Sequence, residues 1–520
     1  MPRLLALLLL ALLAVPSGVA SAGGDTVTIA VQAEPSSVDP HFSATGVNQE
    51  LAAHLFDTLL ARDAELRLEP ALATAIRRTD PLTWEIELRR GVRFHDGTPF
   101  TAEDVVYSFR RAPSVPFSPA SFAGRVAQIA HVEALGPHRV RMVTRKPYAQ
   151  LPYDLSFIAI VPHTLGERVT TEDFNAGRAA IGTGPYRFVR WDHGDRVELA
   201  RNDAYWGPKP AFARAVFRYI GNDGARVAAL LSGSVDVIDA VPPADLDWLR
   251  REPGIAVRQS PTVTLIYLHL DSARARSPFA SGPGGQNPLR DVRVRRALAL
   301  AIDRELLVDK VLAGAGLPAG QMVPPGTVGF NHDLPPIPHD PAEARRLLAE
   351  AGVAGGLRLT LHATNNRYVG DALVAQAVAA MLARAGVEVA VEPLPKSVFL
   401  PRASNLEFSA MQYGFGSVSG TSLLALRSVA GTFDPARGSG GINRGRYSNP
   451  ELDRLVDAAE QAADPATYED LLRRAAAVLH ADAGIVPLYH PTASWAARTG
   501  IAMQPRRDEW SLAQHMAPAP

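Results

Sequence analysis

The sequence has 520 residues and a mass of 55.7 kDa. That is enough for two or more lobes, because single hydrophobic cores stop growing near about 250–300 residues. Apolar residues make up 47% and charged residues 20% of the chain, a globular balance that excludes intrinsic disorder. The 53 basic and 53 acidic side chains cancel, so no excess charge favours nucleic acid or an anionic membrane as a partner. The lack of cysteine excludes disulfides, thiolate metal sites, a cysteine nucleophile and a lipidated cysteine.

Residues 1–22 have the pattern of a secretory signal peptide. Arg3 supplies the positive start, Leu4 to Val15 form the apolar stretch, and Ala20-Ser21-Ala22 fits the small-x-small cleavage pattern. A membrane anchor is the alternative, but this stretch is shorter than the roughly 20 residues that span a bilayer. We therefore predict cleavage after Ala22 and a periplasmic mature protein that does not itself span the membrane.

Alternation and helix-start signals predict the first elements of the mature chain. Thr26 to Val31 and Trp84 to Leu88 alternate in polarity and predict strands. A helix is predicted around Asn48 to Leu60. Thr101 followed by Asp104 predicts another helix start, because the hydroxyl and the carboxylate satisfy free N–H groups there.

The second half of the chain alternates between predicted helices and strands. Leu357 to Leu361 and Val387 to Val391 read as strands. Four helix starts carry a capping residue before a proline. They are Asn287-Pro288, Asp340-Pro341, Asn449-Pro450 and Asp464-Pro465. Such alternation predicts an α/β lobe with a mostly parallel sheet.

The motifs of common enzyme classes are missing from the sequence. Gly182-Thr183-Gly184 begins like a dinucleotide fingerprint, but Arg187 occupies the position of the third glycine. There is no Gly-x-Ser-x-Gly elbow and no His-Glu-x-x-His, and the 14 histidines are scattered. We therefore predict binding rather than catalysis, with no catalytic residue, no metal ligand and no cofactor.

Ten short motifs, in order along the chain, carry a resemblance to a known family. They are Ser37-Val38-Asp39-Pro40, Leu55 to Leu59, Leu68 to Ala73, Leu88 to Gly97, Phe100 to Tyr107, Gly182 to Tyr186, Asn202 to Trp206, Asp291 to Ala297, Ala301 to Arg304 and Tyr447 to Pro450. With these motifs the chain resembles the solute-binding proteins of ABC importers, in the dipeptide, oligopeptide and nickel cluster called family 5. The resemblance covers essentially the whole mature chain.

This resemblance implies an α/β, two-lobed periplasmic binding protein fold with a ligand cleft between the lobes. Lobe I carries an extra sub-domain. The implied division is lobe I at 23–44, 182–262 and 488–520, the extra sub-domain at 45–181, and lobe II at 263–487. Two hinge crossings are expected, at Thr262 to Leu270 and at Val486 to Trp495.

Loops that follow strands are expected to line the cleft, because their backbone groups are free to bind a ligand. The loop after the first strand offers Glu34, Ser36 and Ser37. In peptide-binding relatives it runs beside the ligand backbone, and a plain turn is the alternative. Asn366 and Arg367 end a strand of lobe II, where the planar guanidinium of Arg367 would suit a carboxylate or would lie in solvent.

The remaining candidate site residues lie in one segment, and they are Tyr413, Gly414, Phe415, Ser417, Val418 and Ser419. Peptide-binding relatives carry Gly-Trp here, with an Asp three residues after the Trp that pairs with the ligand's ammonium. In this chain Phe415 replaces the Trp and Val418 replaces the Asp. Losing one partner of a buried charge pair costs about 2–5 kcal/mol. A zwitterionic peptide therefore needs another carboxylate, such as Glu34, or is not the ligand.

The predicted function is that of a periplasmic, monomeric solute-binding component of an ABC importer. It would capture a small ligand, a peptide or peptide-like compound, by hinge closure and deliver it to the inner-membrane permease. Opines, glycosides and nickel or haem complexes are alternative ligands, although His362 and His490 have no obvious metal-binding partner. A secreted hydrolase and a receptor that signals to a membrane sensor are alternative functions.

Overall fold

The computed structural model of the protein describes residues 24–519. The signal sequence predicted for residues 1–22, with its cleavage site after Ala22, lies outside the described residues. In the described range, none of the helices has the length and apolar character that crossing a membrane requires.

The strands are short except where the chain crosses between lobes. Within residues 24–519 they are β1 (Thr26–Val31), β2 (Leu60–Arg62), β3 (Leu68–Pro70), β4 (Ala73–Arg78), β5 (Thr83–Leu88), β6 (Ile129–Gly136), β7 (Arg139–Thr144), β8 (Tyr186–Asp192), β9 (Arg196–Arg201), β10 (Arg214–Tyr219), β11 (Val237–Ile238), β12 (Ile255–Pro261), β13 (Thr264–Leu270), β14 (Ala280–Ser281), β15 (Gly316–Pro318), β16 (Arg358–Thr364), β17 (Glu388–Leu394), β18 (Ala410–Gly416), β19 (Val486–Arg498), β20 (Ile501–Met503) and β21 (Met516–Pro518).

The longer helices lie in the second half of the chain. In the same range the α-helices are α1 (Gly46–Leu55), α2 (Ala102–Arg111), α3 (Ala123–Val126), α4 (Leu151–Leu155), α5 (Thr171–Asn175), α6 (Asp223–Leu231), α7 (Pro243–Leu249), α8 (Val292–Leu300), α9 (Arg304–Leu306), α10 (Pro341–Glu350), α11 (Asp371–Arg384), α12 (Lys396–Ser404), α13 (Leu423–Ala425), α14 (Pro450–Gln461) and α15 (Pro465–Ala481).

The first lobe is built on a mixed sheet in the order β8–β9–β10–β1–β11–β19, with β12 also paired to β19. Strand β1 runs parallel to β10 and β11, and its side chains Val27 and Ile29 are fully buried. The predicted strand at Thr26 to Val31 is therefore confirmed. This parallel trio sends its three carboxyl ends to the same edge of the sheet.

The second lobe is built on β16, β17 and β18, which run parallel, while β13, β14 and β15 pair antiparallel to their neighbours. The prediction of a mostly parallel sheet is therefore wrong for this lobe. The reason is that β13 enters this lobe from the first lobe while β19 leaves it toward the first lobe, and strands that cross in opposite directions pair antiparallel.

Two neighbouring crossings join the lobes. Strand β19 pairs with β13 in the second lobe through Val486 to Tyr489, and with β12 in the first lobe from Thr492 onward. Between β12 and β13 the Thr262 N–H donates to Pro491 O at 2.8 Å. The crossings are thus adjacent, hydrogen-bonded strands, where the two hinge segments were predicted.

A separate antiparallel sheet, in the order β4–β5–β7–β6, lies within the segment predicted as the extra sub-domain. Its core includes Ile86, Phe100 and Val105, which are buried. Strand β5 confirms the prediction for Trp84 to Leu88. The residue boundaries predicted for the lobes and the sub-domain stay a prediction.

Three of the predicted Asx-Pro helix starts are confirmed, at Asp340, Asn449 and Asp464, whose side chains accept N–H bonds from the first turn. The start at Asn287 is wrong as an α-helix. Asn287 caps a short 3₁₀ turn, and α8 begins at Val292 after its own cap, because the Asp291 side chain accepts the Arg293 N–H.

Two predictions in the first half of the chain concern helices. Thr101 and Asp104 form the predicted cap of α2, where Asp104 Oδ2 accepts the Thr101 N–H at 2.7 Å. Helix α1 ends at Leu55 and not at Leu60, because Phe56 is extended and Leu55 O accepts the N–H of Gly184.

A buried ion pair ties the loop after β1 to α2. Asp39 accepts two bonds from Arg111, at 2.8 and 2.6 Å, and another from the Thr171 hydroxyl at 2.9 Å. Burial alone would raise the pKa of Asp39, but the hydrogen bond and the charge of Arg111 outweigh it and the pKa is lowered. This pair fixes the loop that leads into the cleft.

Candidate ligand-binding cleft

The parallel strands of both lobes have their carboxyl ends at the hinge. In the first lobe, β1, β10 and β11 run antiparallel to β19 and end toward Thr492, where the chain crosses. In the second lobe, β18 ends beside the start of β13 at Thr264, and β16 and β17 run in the same direction. Loops from both lobes therefore face one cleft, the usual position for a ligand in an open α/β sheet.

Glu34 follows β1 and points to the neighbouring β8–β9 turn. Its Oε1 accepts hydrogen bonds from Trp191 Nε1 at 2.8 Å and from the Gly194 N–H at 3.0 Å. Its carboxylate is thus partly engaged at the rim of the first lobe.

Ser36 and Ser37 hold the same loop in place. The Ser36 N–H and hydroxyl donate to Asn48 Oδ1 at 3.3 and 3.2 Å. The Ser37 hydroxyl donates to Asn175 Oδ1 at 2.7 Å and the residue is buried. Ser37 is therefore turned inward, whereas Ser36 is exposed and is tied to α1 through Asn48. Sequence reasoning missed Asn48 and Asn175, which carry no local signal for this role.

Arg367 lies on the second lobe after β16, and its side chain stacks on aromatic rings. Its Cζ is 4.5 Å from the ring centroid of Tyr413 and 4.8 Å from that of Tyr368. One guanidinium nitrogen, Nη1, is buried and has no hydrogen-bond partner among residues 24–519. The structure thus brings Arg367 and Tyr413 together, whereas Asn366 Oδ1 accepts the Lys396 N–H at 2.8 Å and caps α12.

Gly414 is required by close packing. A Cβ atom there would overlap the Tyr368 side chain and approach Ile266 Cδ1 at 2.8 Å. Instead, the Tyr368 hydroxyl donates to Gly414 O at 3.2 Å. This contact positions the tyrosine ring on which Arg367 stacks.

The loop after β18 lies against the hinge. The Ser417 N–H donates to Val263 O at 3.0 Å, and Ser417 and Ser419 are fully buried. Their hydroxyl oxygens have no partner in the described part of the chain. Buried hydroxyls are nearly always hydrogen-bonded, so these two groups suit a polar ligand or ordered water.

Val418 and Phe415 flank these hydroxyls. Val418 is 43% exposed, and its carbonyl oxygen accepts a bond from Arg62 Nη1 of the facing segment at 2.7 Å. Phe415 is partly buried and packs on the core that includes Tyr413. The exposed apolar side chain stands where relatives were expected to carry the ammonium-binding Asp.

Three carboxyl groups at the cleft edge of the first lobe were missed by the sequence reasoning. Glu50 lines a small recess with Val31 and Tyr219 at the ends of β1 and β10, and Asp239 directly follows β11. Glu509 is exposed and has a left-handed backbone, with φ of 70°. A non-glycine residue in this conformation often marks a functional position.

Desolvation is the main cause that raises the pKa values of all three groups, and nearby carboxylates add to it at Glu50 and Glu509. Burial, followed by the charge of Asp239, raises the pKa of Glu50 to about 8. Desolvation, followed by the charges of Asp508 and Asp239, raises the pKa of Glu509 to about 7. Burial raises the pKa of Asp239 to about 6. A cation placed among them would lower these pKa values and strengthen its own binding.

Side chains from both lobes meet across the cleft. Gln150, at the start of α4, accepts bonds at Oε1 from the hydroxyls of Tyr468 and Thr421, at 2.6 and 3.2 Å. Arg507 donates to Pro325 O at 2.7 Å. These polar contacts join the two lobes, and Gln150, Thr421 and Tyr468 are buried.

Neither histidine considered for metal is part of a ligand set. Within residues 24–519, no group of three or more His, Asp or Glu side chains is placed to hold a metal ion. His362 stacks on Phe408 and lies 3.1 Å from Glu392. His490 Nδ1 is 2.9 Å from Thr264 O, at the hinge.

A comparison with protein families shows which family the chain belongs to. Residues 67–433 match the model described as bacterial extracellular solute-binding proteins, family 5, middle region. The chain belongs to this family. Its members are substrate-binding proteins, and this one is a solute-binding component of the ABC-importer type.

Similar family 5 proteins cover nearly the whole chain. The chain is 28% identical over 501 residues to probable di/tripeptide-binding protein 5 of Pseudomonas aeruginosa, covering 91% of each. It is 26% identical over 479 residues to the glutathione-binding protein GsiB of Escherichia coli K12, covering 89% of this chain and 88% of that protein.

A solved structure shows the same two-lobed architecture. HbpA2 from Haemophilus parasuis superposes with a TM-score of 0.83 at 22% identity, over 95% of this chain and 100% of that one. The predicted α/β, two-lobed fold of this family 5 protein is therefore confirmed.

We predict that Glu50→Gln flattens the pH dependence of stability. Because folding raises the pKa of this acid to about 8 from an ordinary 4.5, ionisation opposes folding. Wild-type stability falls as pH rises between these two values, by up to about 1.4 kcal/mol per pH unit from this group. The variant should gain stability relative to wild type toward the alkaline end, measured by urea unfolding across that range.

The exposed Glu469→Gln on α15 is the matched control and should leave the slope unchanged. Equal slopes for wild type and Glu50→Gln would contradict the prediction.

Proposed function

We propose that this protein captures a small peptide-like ligand that carries a carboxylate, and delivers it to the permease of an ABC importer. The observation that carries the proposal is Arg367, a guanidinium at the carboxyl end of β16 with a buried nitrogen that lacks a partner in the described chain. An arginine fork binds a carboxylate through two parallel hydrogen bonds. Two relatives are named as a di/tripeptide-binding protein and a glutathione-binding protein, and these names support this ligand class.

The same proposal places the mature protein in the periplasm, after cleavage at Ala22, as a monomer without catalytic activity. Capture proceeds by closure of the two lobes about the paired crossings β12–β13 and β19. A ligand that contacts both lobes gains its full binding energy only in the closed form, so it shifts the equilibrium toward that form.

The ligand's ammonium, where one is present, would bind to the first lobe. Val418 gives the second lobe no charge at the expected position, whereas Glu509 is exposed and close enough to Asp239, which follows β11, for the two charges to interact. Glu34 was the sequence-based candidate, but its Oε1 already accepts two hydrogen bonds at the rim. We therefore assign the ammonium to Glu509, with Asp239 as its neighbour.

We predict that Arg367→Gln and amidation of the ligand's carboxylate lower the binding affinity by a similar factor. Wild-type protein should bind Ala-Ala about 30-fold to several thousand-fold more tightly than Ala-Ala-amide, because amidation leaves the buried guanidinium unpaired. Arg367→Gln should lose a similar factor for Ala-Ala and should no longer distinguish the two peptides. Isothermal titration calorimetry on ligand-stripped protein measures both.

The control is Arg358→Gln. Arg358 lies at the start of β16, the end away from Arg367, where it is exposed and pairs with Glu388 of β17. This variant should bind the ligand like wild type. If Arg367→Gln still favours the free carboxylate, this residue does not bind it. If no peptide of a di- to pentapeptide panel binds, the ligand is not a peptide.

We predict that Glu509→Gln removes the preference for a free α-amine. Wild-type protein should bind Ala-Ala about tenfold or more tightly than N-acetyl-Ala-Ala, since a charged hydrogen bond contributes about 1.5–3 kcal/mol. Glu509→Gln should bind both alike, while Glu34→Gln should keep the preference. The opposite pattern would assign the ammonium to Glu34.

We predict that Gln150→Leu lowers the free energy of unfolding. In the variant the Tyr468 hydroxyl can still donate to Thr421, but the buried Thr421 hydroxyl loses its acceptor. The expected cost is about 1–2 kcal/mol. Urea unfolding measures it, and Gln286→Leu, on an exposed loop, should match wild type.

An unchanged free energy of unfolding in Gln150→Leu would contradict this prediction.

A further inference from the structure

Two arginines of the second lobe stack on one tyrosine ring. Arg367 Cζ lies 4.5 Å and Arg444 Cζ lies 4.7 Å from the ring centroid of Tyr413. The two guanidinium groups are therefore no farther apart than the sum of these distances. Two like charges within this distance in a partly buried site repel each other, and a nearby anion would offset the repulsion.

Neither guanidinium forms an ion pair within residues 24–519. The only side-chain hydrogen bond of Arg444 there runs from Nη2 to the Ser404 hydroxyl at 3.2 Å, while its Nε and Nη1 are buried and unpartnered. Arg402 of the same lobe shows the ordinary situation. It also stacks on a ring, that of Phe408, but it pairs with Glu392 and Glu407 at 3.0 and 2.9 Å.

A third donor faces the same place. Tyr267 pairs directly with Tyr413 across strands β13 and β18, and it is fully buried. Its hydroxyl has no hydrogen-bond partner among the described residues. Burial raises the pKa of Tyr267 well above its ordinary value, so the group keeps its proton and remains a donor. A buried, unpartnered hydroxyl beside two arginines indicates a site for an anion.

The acidic residue that follows Arg367 most closely in the sequence forms no ion pair with either arginine in the described part of the chain. Asp371, at the start of α11, accepts hydrogen bonds from the Thr364 hydroxyl and from the backbone N–H groups of Arg367 and Tyr368. Its carboxylate is thus used to shape the loop. The remaining positive charge calls for more than one anionic group from outside.

We propose that the ligand carries two anionic groups, one at Arg367 and a second at Arg444, with the Tyr267 hydroxyl donating between the two arginines. This proposal rests on the proposed function and narrows its ligand class to peptide-like compounds with two carboxylates. The planar forks of both arginines would each meet one carboxylate, and the ring of Tyr413 would separate the two pairs.

The test compares Ala-Glu with Ala-Gln, which have nearly the same shape but differ by one carboxylate. Wild-type protein should bind Ala-Glu at least about tenfold more tightly, as expected for one charged hydrogen-bonded pair. Arg444→Gln should bring the ratio of the two affinities close to one. Arg444→Lys should keep part of the preference, and Arg402→Gln, the matched stacked arginine with its own carboxylate partners, should keep all of it.

The ratio of the affinities for Ala-Glu and Ala-Gln separates recognition from a merely structural role, because misfolding would weaken the binding of both peptides together. A wild-type protein that binds the two peptides equally, or an Arg444→Gln variant that keeps the preference, would overturn the proposal. If neither peptide binds, the peptide ligand class is wrong, and glutarate against its monoamide becomes the probe pair. A preference for glutarate that Arg444→Gln abolishes would uphold the two-anion site, and equal or no binding of this pair would overturn it.

Discussion

The antiparallel contact between the two chain crossings is the constraint on which this molecule depends. Strand β19 is shared by both lobes. It pairs with β12 in the first lobe and with β13 in the second. Because β19 fixes the direction of its partners, the parallel strands of each lobe end at the hinge. The loops that follow those strands are thereby brought to one cleft, although they lie far apart in the sequence.

The charges of the cleft are divided between the lobes. The first lobe presents the carboxyl groups of Glu50, Asp239 and Glu509, with pKa values raised mainly by desolvation. The second lobe presents Arg367 and Arg444, stacked on Tyr413. This division suits a ligand whose cationic and anionic ends contact different lobes, because such a ligand stabilises only the closed form. The replacement by Val418 of the expected ammonium-binding Asp fits the same division.

Much of the local structure follows from the sequence. The caps at Thr101, Asp340, Asn449 and Asp464 gave correct helix starts, since a side chain that satisfies a free N–H group acts within one turn. The mostly parallel sheet and the helix start at Asn287 were wrong, because strand direction depends on how the chain crosses the hinge, and a second cap at Asp291 competes nearby. Among the predicted site residues, Arg367 and Tyr413 come together, while Ser37 is turned inward.

The sequence by itself determined the α/β class and the family, because these depend on local periodicity and on motifs read in order. Only the tertiary structure decided which charges face each other. Glu50, Asp239 and Glu509 come from a helix, a strand end and the C-terminal loop, and Arg444 reaches Tyr413 from a distant loop. No local pattern marks such residues, because their role arises from desolvation and proximity, which exist only after the two lobes have packed.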